Sequence, residues 1–272
     1  MRPGELWASI EGVGFWATGL PSWESAKAFV ANGTLAPDAP ARPSPQLLAP
    51  NERRRAPESV AVALQVALAA CQAAGRDPST LPSVFASTHG DLAVTNYMCA
   101  TLASDPRAVS PIKFHNSVHN AASGYWTIGV GAMKAATALS AYETSFAQGL
   151  VEAISLLAAG DDAVLLVAYD THATGALAEM WRSDGLLGAA LVLSRTPMRE
   201  AIRLRATAAT GGAVAPSRGP LAAHFARNAM APMLALFDAL AANCTEAELH
   251  AGPKQLLRVE LSAAAHDAVV AG

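Results

Sequence analysis

Two histidines four residues apart are the first feature of this sequence that could do chemistry. His115 and His119 stand in the run His-Asn-Ser-Val-His, a spacing that puts both imidazoles on one face of a helix. A zinc hydrolase with this spacing needs a glutamate after the first histidine and a third ligand. Neither is present, so we expect no metal and no cofactor. We interpret His115, Asn116, His119 and Asn120 as candidate polar lining of a site.

The three cysteines are the other nucleophilic side chains. Cys71, Cys99 and Cys244 are odd in number and show no Cys-x-x-Cys spacing, which argues against a disulfide framework or a zinc site. Free thiols are typical of a reducing compartment, so we predict a cytoplasmic protein. No Gly-x-Ser-x-Gly elbow, Walker A loop or Gly-x-Gly-x-x-Gly fingerprint is present either.

Composition excludes two further classes. The net charge is −3, and the densest basic cluster is Arg53, Arg54 and Arg55, which argues against nucleic-acid binding. The longest uncharged stretch, 59–75, is mostly alanine and contains Gln65 and Gln72, so we predict a buried helix rather than a membrane span. With 52% apolar and 15% charged residues, the chain has either a large core or an apolar interface.

The elements that would position these residues alternate between strands and helices. This alternation predicts an α/β fold with a mixed, mostly parallel sheet covered by helices. The predicted strands are 6–15, 82–88, 134–141, 163–168, 186–194, 202–207 and 255–262. The predicted helices are 21–31, 57–75, 91–104, 120–133, 143–159 and 220–242.

Several short motifs occur in a characteristic order. An Ile-x-Gly-x-Gly strand at 10–14 and a Thr-His-Gly turn at 88–90 precede the run SPIKFHNSVHNAASG at 110–124, and a Gly-Asp pair at 160–161 introduces an apolar strand. This order resembles the N-terminal half of β-ketoacyl synthases of the thiolase-like superfamily, over roughly residues 5–196. The resemblance implies a ketosynthase-like domain at 1–209 and a helix–strand extension at 210–272 packed on the same domain.

In that family a cysteine on a tight turn before a long helix carries the acyl group as a thioester. Here the turn reads Ser-Ala-Tyr-Glu-Thr-Ser from Ser140 to Ser145. Counting back from Gly160, Glu143 best fits the position of the cysteine, and Tyr142 fits if one residue is gapped. We interpret Glu143 as a structural plug that accepts backbone N–H bonds at the helix start.

The resemblance also implies two catalytic histidines in a second, duplicated half, which we expect to be missing. The string Asp-Thr-His-Ala-Thr-Gly at 170–175 resembles one histidine motif of that half, but His172 follows Glu143 by only 29 positions (172 − 143). We therefore interpret it as an unrelated loop. Cys99 precedes the helix at Asn120 and is out of order for the nucleophile.

The short, N-terminal-domain-only members of this family resemble chain-length factors of aryl polyene or fatty-acid-like type II pathways. The resemblance implies a non-catalytic subunit, inactive alone, that pairs with a full-length β-ketoacyl synthase and meets acyl carrier protein through that partner. The strand before the turn would pair across the dimer axis; it comprises Lys134, Ala135, Ala136, Thr137, Ala138, Leu139, Ser140 and Ala141. Two alternatives stay open: a malonyl-thioester-decarboxylating priming subunit using Glu143 with His115 or His119, and a homodimeric module that binds acyl groups or carrier protein.

Overall fold

The computed structural model describes residues 5–196, 201–210 and 219–263. The strands are β1 (Glu5–Ala17), β2 (Ser83–Ala86), β3 (Ala136–Leu139), β4 (Ala163–Asp170), β5 (Leu187–Ser194), β6 (Ile202–Thr210), β7 (Glu246–Gly252) and β8 (Gln255–Ala263). The helices are α1 (Trp23–Asn32), α2 (Pro50–Arg55), α3 (Glu58–Ala74), α4 (Leu92–Ser104), α5 (Pro111–His115), α6 (Ala121–Val130), α7 (Ser145–Ala159), α8 (Leu177–Met180), α9 (Pro220–His224) and α10 (Leu234–Ala241).

The eight described strands form one mixed sheet in the order β3-β2-β4-β5-β1-β6-β8-β7. The mixed α/β architecture is confirmed, but the expectation of a mostly parallel sheet is wrong. Only β2 pairs in parallel, with β3 and β4, and the other five described pairings are antiparallel. Strands β4 and β5 are buried at every position. Their continuous apolar runs therefore reflect cover on both faces, which occurs in either orientation when helices flank the sheet.

Two helical layers enclose the centre of the sheet. Helix α3 packs on one face with Trp126 and Phe85. Helices α1, α7 and α10 pack on the other, where Phe15, Phe146 and Phe237 meet. The prediction of a buried helix at 57–75 is confirmed, since ten residues of α3 are buried. Among the described helices, none is both long and apolar enough to cross a bilayer.

Glycines let α3 approach β1 closely. A Cβ atom at Gly12 would lie against the carbonyl oxygen of Ala70, and one at Gly14 against the carbonyl oxygen of Val66. The obstacle is helix backbone in both cases, so no rotamer change can relieve it. The Gly-x-Gly spacing of the first strand thus sets the distance between the sheet and its longest buried helix.

Side-chain caps begin two of the predicted helices. Ser22 caps α1 through a capping box with Ser25, and the Asp91 side chain accepts the N–H of Val94 to start α4. The predicted helix 120–133 is α6, and the strand 134–141 is shortened to β3.

Near the C-terminal end, one predicted helix is wrong and one strand was missed. The predicted helix 220–242 is two short helices, α9 and α10, separated by turns around Asn228 and Pro232. Asn228 donates its side-chain amide to the carbonyl oxygens of Asp184 and Gly185, which holds the break open. Strand β7 was not predicted, because its run Glu-Ala-Glu-Leu-His is polar on one face and short.

Residues 219–263 join the same sheet and core as the preceding chain, through β8 pairing with β6 and through Leu221 and Phe237 in the core. The proposed division into 1–209 and an extension at 210–272 stays a prediction. Segments 211–218 and 264–272 of that extension lie outside the described residues.

Replacing Gly14 by alanine is expected to lower the free energy of unfolding by about 3 kcal/mol, because the added methyl group meets the α3 backbone. Gly124→Ala is the matched control, since a Cβ there meets no atom within 4 Å and alanine favours a helix by about 0.5–1 kcal/mol. Chemical denaturation of both variants measures the difference. Equal stabilities would contradict the close α3–β1 contact.

Candidate functional site

A cavity of about 880 Å³ lies at the carboxyl ends of the parallel strands β2, β3 and β4. Its volume falls within the range usual for small-molecule sites. The wall comes from the turn after β2, the turn after β3, the segment around α8, the α9–α10 region and strand β7. The lining residues are Thr88, His89, Tyr142, Glu143, Glu179, Met180, Trp181, Arg182, Ala222, Ala226, Arg227, Asn228, Ala229, Ala231, Pro232, Ala235, Glu248 and His250.

A buried carboxylate fixes the turn that enters this cavity. Asp170, at the end of β4, is 1% exposed. It accepts hydrogen bonds from the Ser87 hydroxyl at 2.7 Å and from the backbone N–H groups of Thr88 at 2.9 Å and His89 at 3.2 Å. Burial raises the pKa of Asp170 above its ordinary value, and these hydrogen bonds oppose the rise. The Ser87 hydroxyl oxygen also accepts the N–H of Gly90, so one carboxylate orders the whole turn.

His89 extends from that turn into the cavity between two aromatic rings. Its ring centroid lies 5.5 Å from that of Trp181 and 6.1 Å from that of Tyr142. Burial lowers the pKa of His89 below 6.5, while the charge of Asp170 acts in the opposite direction. At neutral pH the imidazole is therefore mostly uncharged.

The connection from β3 to α7 is a sharp elbow with Tyr142 at its apex. Tyr142 has a φ of +54°, a left-handed conformation that is uncommon outside glycine and is often found at functional turns. Ser145 stabilises the elbow, because its hydroxyl donates to the Tyr142 carbonyl at 2.7 Å and accepts the N–H of Ala141 at 2.9 Å. The hydroxyl of Ser140 donates to the Thr88 carbonyl at 2.9 Å and thereby joins the elbow to the β2 turn.

Glu143 follows the apex and faces the cavity instead of the helix backbone. Its side chain is 63% exposed, and its Oε2 lies 3.8 Å from Nδ1 of His250 on β7. No described backbone N–H group donates to this carboxylate, so Glu143 does not act as the expected plug. The backbone N–H group of Ala141 is bonded to the Ser145 hydroxyl instead. Which of Glu143 and Tyr142 occupies the position of the family's cysteine stays a prediction.

The structure separates the four residues predicted to line a site. None of His115, Asn116, His119 and Asn120 lines the 880 Å³ cavity. His119 lies behind the β2 turn, with Nε2 at 2.9 Å from the Ser87 carbonyl oxygen. Asn116 is buried beside a second, smaller cavity, whereas His115 and Asn120 are exposed.

Two histidines that do line the cavity escaped prediction. His89 directly follows a predicted strand, and its position after the carboxyl end of a parallel strand was a usable signal. His250 could not be found in this way, because β7 itself was not predicted. His172 lies outside this cavity and pairs with Glu58 at 3.4 Å.

None of the three thiols belongs to the elbow. Cys71 is buried in α3, where burial and, to a lesser extent, Asp77 raise the pKa of its thiol to about 12. Cys99 is exposed on α4 and Cys244 is exposed after α10. A thiol needs thiolate character to act as a nucleophile, and the buried one lacks it. In the described residues, no group of three or more metal-ligating side chains is arranged for a metal ion.

A strand, a tight elbow and a long helix at the carboxyl edge of a mixed, helix-covered sheet define a thiolase-like ketosynthase fold. The model of the β-ketoacyl synthase N-terminal domain family matches residues 22–255, so the chain belongs to that family. Comparison with curated proteins gave no significant match.

Solved ketosynthase structures share this fold. One is the ketosynthase ApeO in complex with its chain length factor ApeC from Xenorhabdus doucetiae, with a TM-score of 0.74, 22% identity, and coverage of 94% of this chain and 99% of the matched one. The ishigamide ketosynthase/chain length factor has a TM-score of 0.69 and 13% identity, and the match covers 96% of this chain and 100% of the matched one. A β-ketoacyl synthase from Burkholderia phymatum has a TM-score of 0.56 and 15% identity, and the match covers 86% of this chain and 71% of the matched one. At these identities the likeness shows the fold.

Replacing Asp170 by asparagine is expected to lower the free energy of unfolding by about 2–4 kcal/mol. Asparagine offers one carbonyl oxygen to three donors and turns an amide N–H₂ toward one of them. Asp162→Asn is the matched control just before β4, because Asp162 is exposed and its pair with Arg195 spans 3.5 Å; such pairs contribute about 0–1 kcal/mol. Thermal unfolding of both variants tests this, and an unchanged Asp170→Asn protein would contradict the role of the carboxylate.

Proposed function

We propose that this chain is a non-catalytic, chain-length-factor-like subunit that pairs with a full-length β-ketoacyl synthase. The observation that carries the proposal is an intact elbow without a thiol: the turn has the left-handed apex and the following helix, yet reads Ala-Tyr-Glu-Thr. The pathway would be an aryl polyene or fatty-acid-like type II system in the cytoplasm. Acyl carrier protein would dock through the partner.

The side chains at the elbow are poor acyl carriers. A hydroxyl group such as that of Tyr142 needs an adjacent general base to act as a nucleophile. No described base bonds the Tyr142 hydroxyl. A carboxylate such as Glu143 would have to form a reactive mixed anhydride instead of a thioester. The chain alone would therefore not perform the condensation.

The β3 edge of the sheet supports a partner that adds a strand. Among the described strands, β3 has only β2 as a neighbour, so its other side offers backbone groups to another chain. Its residues Ala-Thr-Ala-Leu carry no charge. The opposite edge strand, β7, carries Glu246 and Glu248, which protect an edge from unwanted pairing. The uncharged β3 edge thus has the composition of an interface, whereas the acidic β7 edge has the composition of an edge that stays free.

Exposed apolar side chains extend the same surface. Met133, just before β3, is 96% exposed, and Ile128 on the adjacent α6 is 84% exposed. Apolar clusters of this kind mark interaction surfaces. Covering this surface, defined here as the β3 surface, would satisfy both its apolar side chains and its strand edge.

We infer that the subunit stabilises the synthase and bounds the far end of its acyl tunnel, which sets product length. Support comes from two solved structures of similar fold, each a ketosynthase with its chain length factor. The acyl substrate follows from the partner's pocket and is not specified by this chain.

Ile128→Lys and Met133→Lys are expected to weaken the complex with the co-expressed ketosynthase by at least about tenfold, because each buries a charge at the β3 surface. Both side chains are exposed in the free chain, so its own stability should not change. Affinity is measured with purified subunits.

Leu35→Lys is the control, since Leu35 is also exposed and packs beside Gly19 after β1, four strands and about 19 Å from β3. Wild-type affinity in both β3-surface variants would contradict the proposed interface. Native mass spectrometry that finds only a homodimer, even with the synthase present, would favour the homodimeric module.

A second candidate is decarboxylation of a malonyl thioester for priming. The observation that favours it is the grouping of Glu143, His250 and His89 in one cavity, in place of the expected His115 and His119. In that reaction the thioester loses carbon dioxide, and the resulting enolate takes a proton to give an acetyl thioester. An N–H group of the His89 imidazole would stabilise the enolate oxygen.

This candidate predicts that the wild-type chain converts malonyl carrier protein to acetyl carrier protein. Glu143→Ala and His250→Ala should each lower the rate by at least about 100-fold, the usual scale for removing such a group. His172→Ala, outside the cavity, should retain it. Mass spectrometry of the carrier protein follows the reaction, and an inactive wild-type chain removes the candidate.

A further inference from the structure

The segment between β4 and β5 forms a surface loop whose two ends are bonded to each other. The backbone N–H of Ala173 donates to the carbonyl oxygen of Ser183 at 2.7 Å, and the Ser183 hydroxyl donates to the carbonyl oxygen of Thr171 at 2.5 Å. Thr171 is 3% exposed and Ser183 is 1% exposed. Residues 171–183 therefore have the close ends of an Ω-loop, and we call these bonded, buried ends the neck of the loop.

The neck is anchored to the opposite wall of the large cavity. The Ser183 hydroxyl oxygen accepts the N–H of Ala229 at 3.1 Å, and the N–H of Asp184 donates to the carbonyl oxygen of Arg227 at 2.9 Å. The Asp184 carboxylate also pairs with Nε of Arg227 at 2.6 Å. Because Arg227 and Ala229 line the cavity, the base of the loop is fixed to the α9–α10 region.

The tip of the loop, residues 174–182, is attached far less firmly than the neck. Its backbone hydrogen bonds stay within the tip, as in the bond from the Trp181 N–H to the Leu177 carbonyl oxygen at 2.9 Å. Within the part of the chain that the structure describes, no hydrogen bond or ion pair joins residues 174–182 to another helix or strand. Helix α8, which lies in the tip, contains no buried residue. A segment that is bonded internally and weakly attached elsewhere moves as a unit at low free-energy cost.

Packing alone holds the tip in its present position. The Trp181 ring lies against the His89 ring, with centroids 5.5 Å apart and planes inclined by 32°. On the other side of the tip, the backbone of Gly175 lies against the side chain of Asn96 on α4, where an added Cβ would meet Oδ1 at 2.2 Å. An aromatic pair shifts an equilibrium by only roughly twofold to tenfold, so the contact with His89 is readily broken.

We propose that residues 174–182 are a lid that swings about the neck and controls access to the 880 Å³ cavity. Residues 179–182 all line that cavity, so displacement of the tip changes the width of its mouth. Release of Trp181 from His89 opens the cavity beside the turn after β2, and return of the ring closes it. The lid is a property of this chain alone, so it can fail independently of the proposed pairing with a ketosynthase.

The test labels the full-length chain with 5-fluorotryptophan and with methyl-labelled methionine, and assigns the two lid signals with Trp181→Phe and Met180→Leu. Relaxation dispersion should show microsecond-to-millisecond exchange at Trp181, the time scale of lid motions, and none at Trp126, which is 0% exposed. Met180, which is 72% exposed, should exchange with the same rate constant as Trp181, because a lid moves as one body. Unequal rate constants, or exchange that is missing at either lid residue, overturn the proposal.

A pair of variants tests the contact that closes the lid. His89→Ala removes the ring that Trp181 contacts, and should move the Trp181 fluorine resonance toward the minor-state position that the wild-type dispersion gives. His172→Ala is the matched control, because His172 lies in the neck, outside the cavity, and pairs with Glu58 at 3.4 Å; it should leave the Trp181 resonance and its dispersion unchanged. An unshifted Trp126 resonance shows that each variant is folded. Wild-type resonance position and dispersion of Trp181 in folded His89→Ala would also overturn the proposal.

Discussion

The buried carboxylate of Asp170 is the interaction on which the cavity edge depends. It links β4 to the turn after β2 through Ser87, Thr88 and His89. The Thr88 carbonyl in turn accepts the hydroxyl of Ser140 after β3. One chain of hydrogen bonds therefore joins the ends of all three parallel strands. Because the carboxylate is buried, losing any of its donors would leave a charge unsatisfied, which makes the arrangement stiff.

This network positions the elbow that presents Tyr142 and Glu143 at the cavity. The strand, the left-handed residue Tyr142 and the helix α7 are those of a site built to present a side chain at a helix start. Neither a tyrosine nor a glutamate at this elbow can form the thioester that a cysteine forms. Under the proposed function this scaffold serves pairing with a ketosynthase, since pairing requires the fold and not the nucleophile. The uncharged β3 edge and the apolar residues beside it have the composition that such pairing needs.

Sequence patterns predicted the elements that carry strong local signals. Helix α3 and strand β4 have long apolar runs bounded by Gly75 and Gly160, and both were found close to their observed bounds. Strand direction could not be read from these runs, because burial on both faces removes the alternation that marks an antiparallel strand. The break between α9 and α10 depends on the long-range hydrogen bonds of Asn228, which no local pattern encodes.

The cavity was only partly predictable for the same reason. Tyr142 and Glu143 were identified through the resemblance to ketosynthases, by counting back from Gly160 to the position of the family's cysteine, and both line the cavity. His250 reaches the cavity from a strand more than 100 residues later in the chain (250 − 143), a distance that spacing arguments do not cover. The pairing of histidines 115 and 119 was misleading, because the turn at Asn116 ends α5 and separates the two side chains.

The most direct test of the account is the intact mass of each subunit after the co-purified complex is loaded with acyl carrier protein bearing an acyl group. The account predicts that the acyl mass appears on the ketosynthase alone and that this chain keeps its unmodified mass. A stable acyl adduct on this chain, mapped by peptide analysis to Tyr142, Glu143 or any of its cysteines, would contradict it.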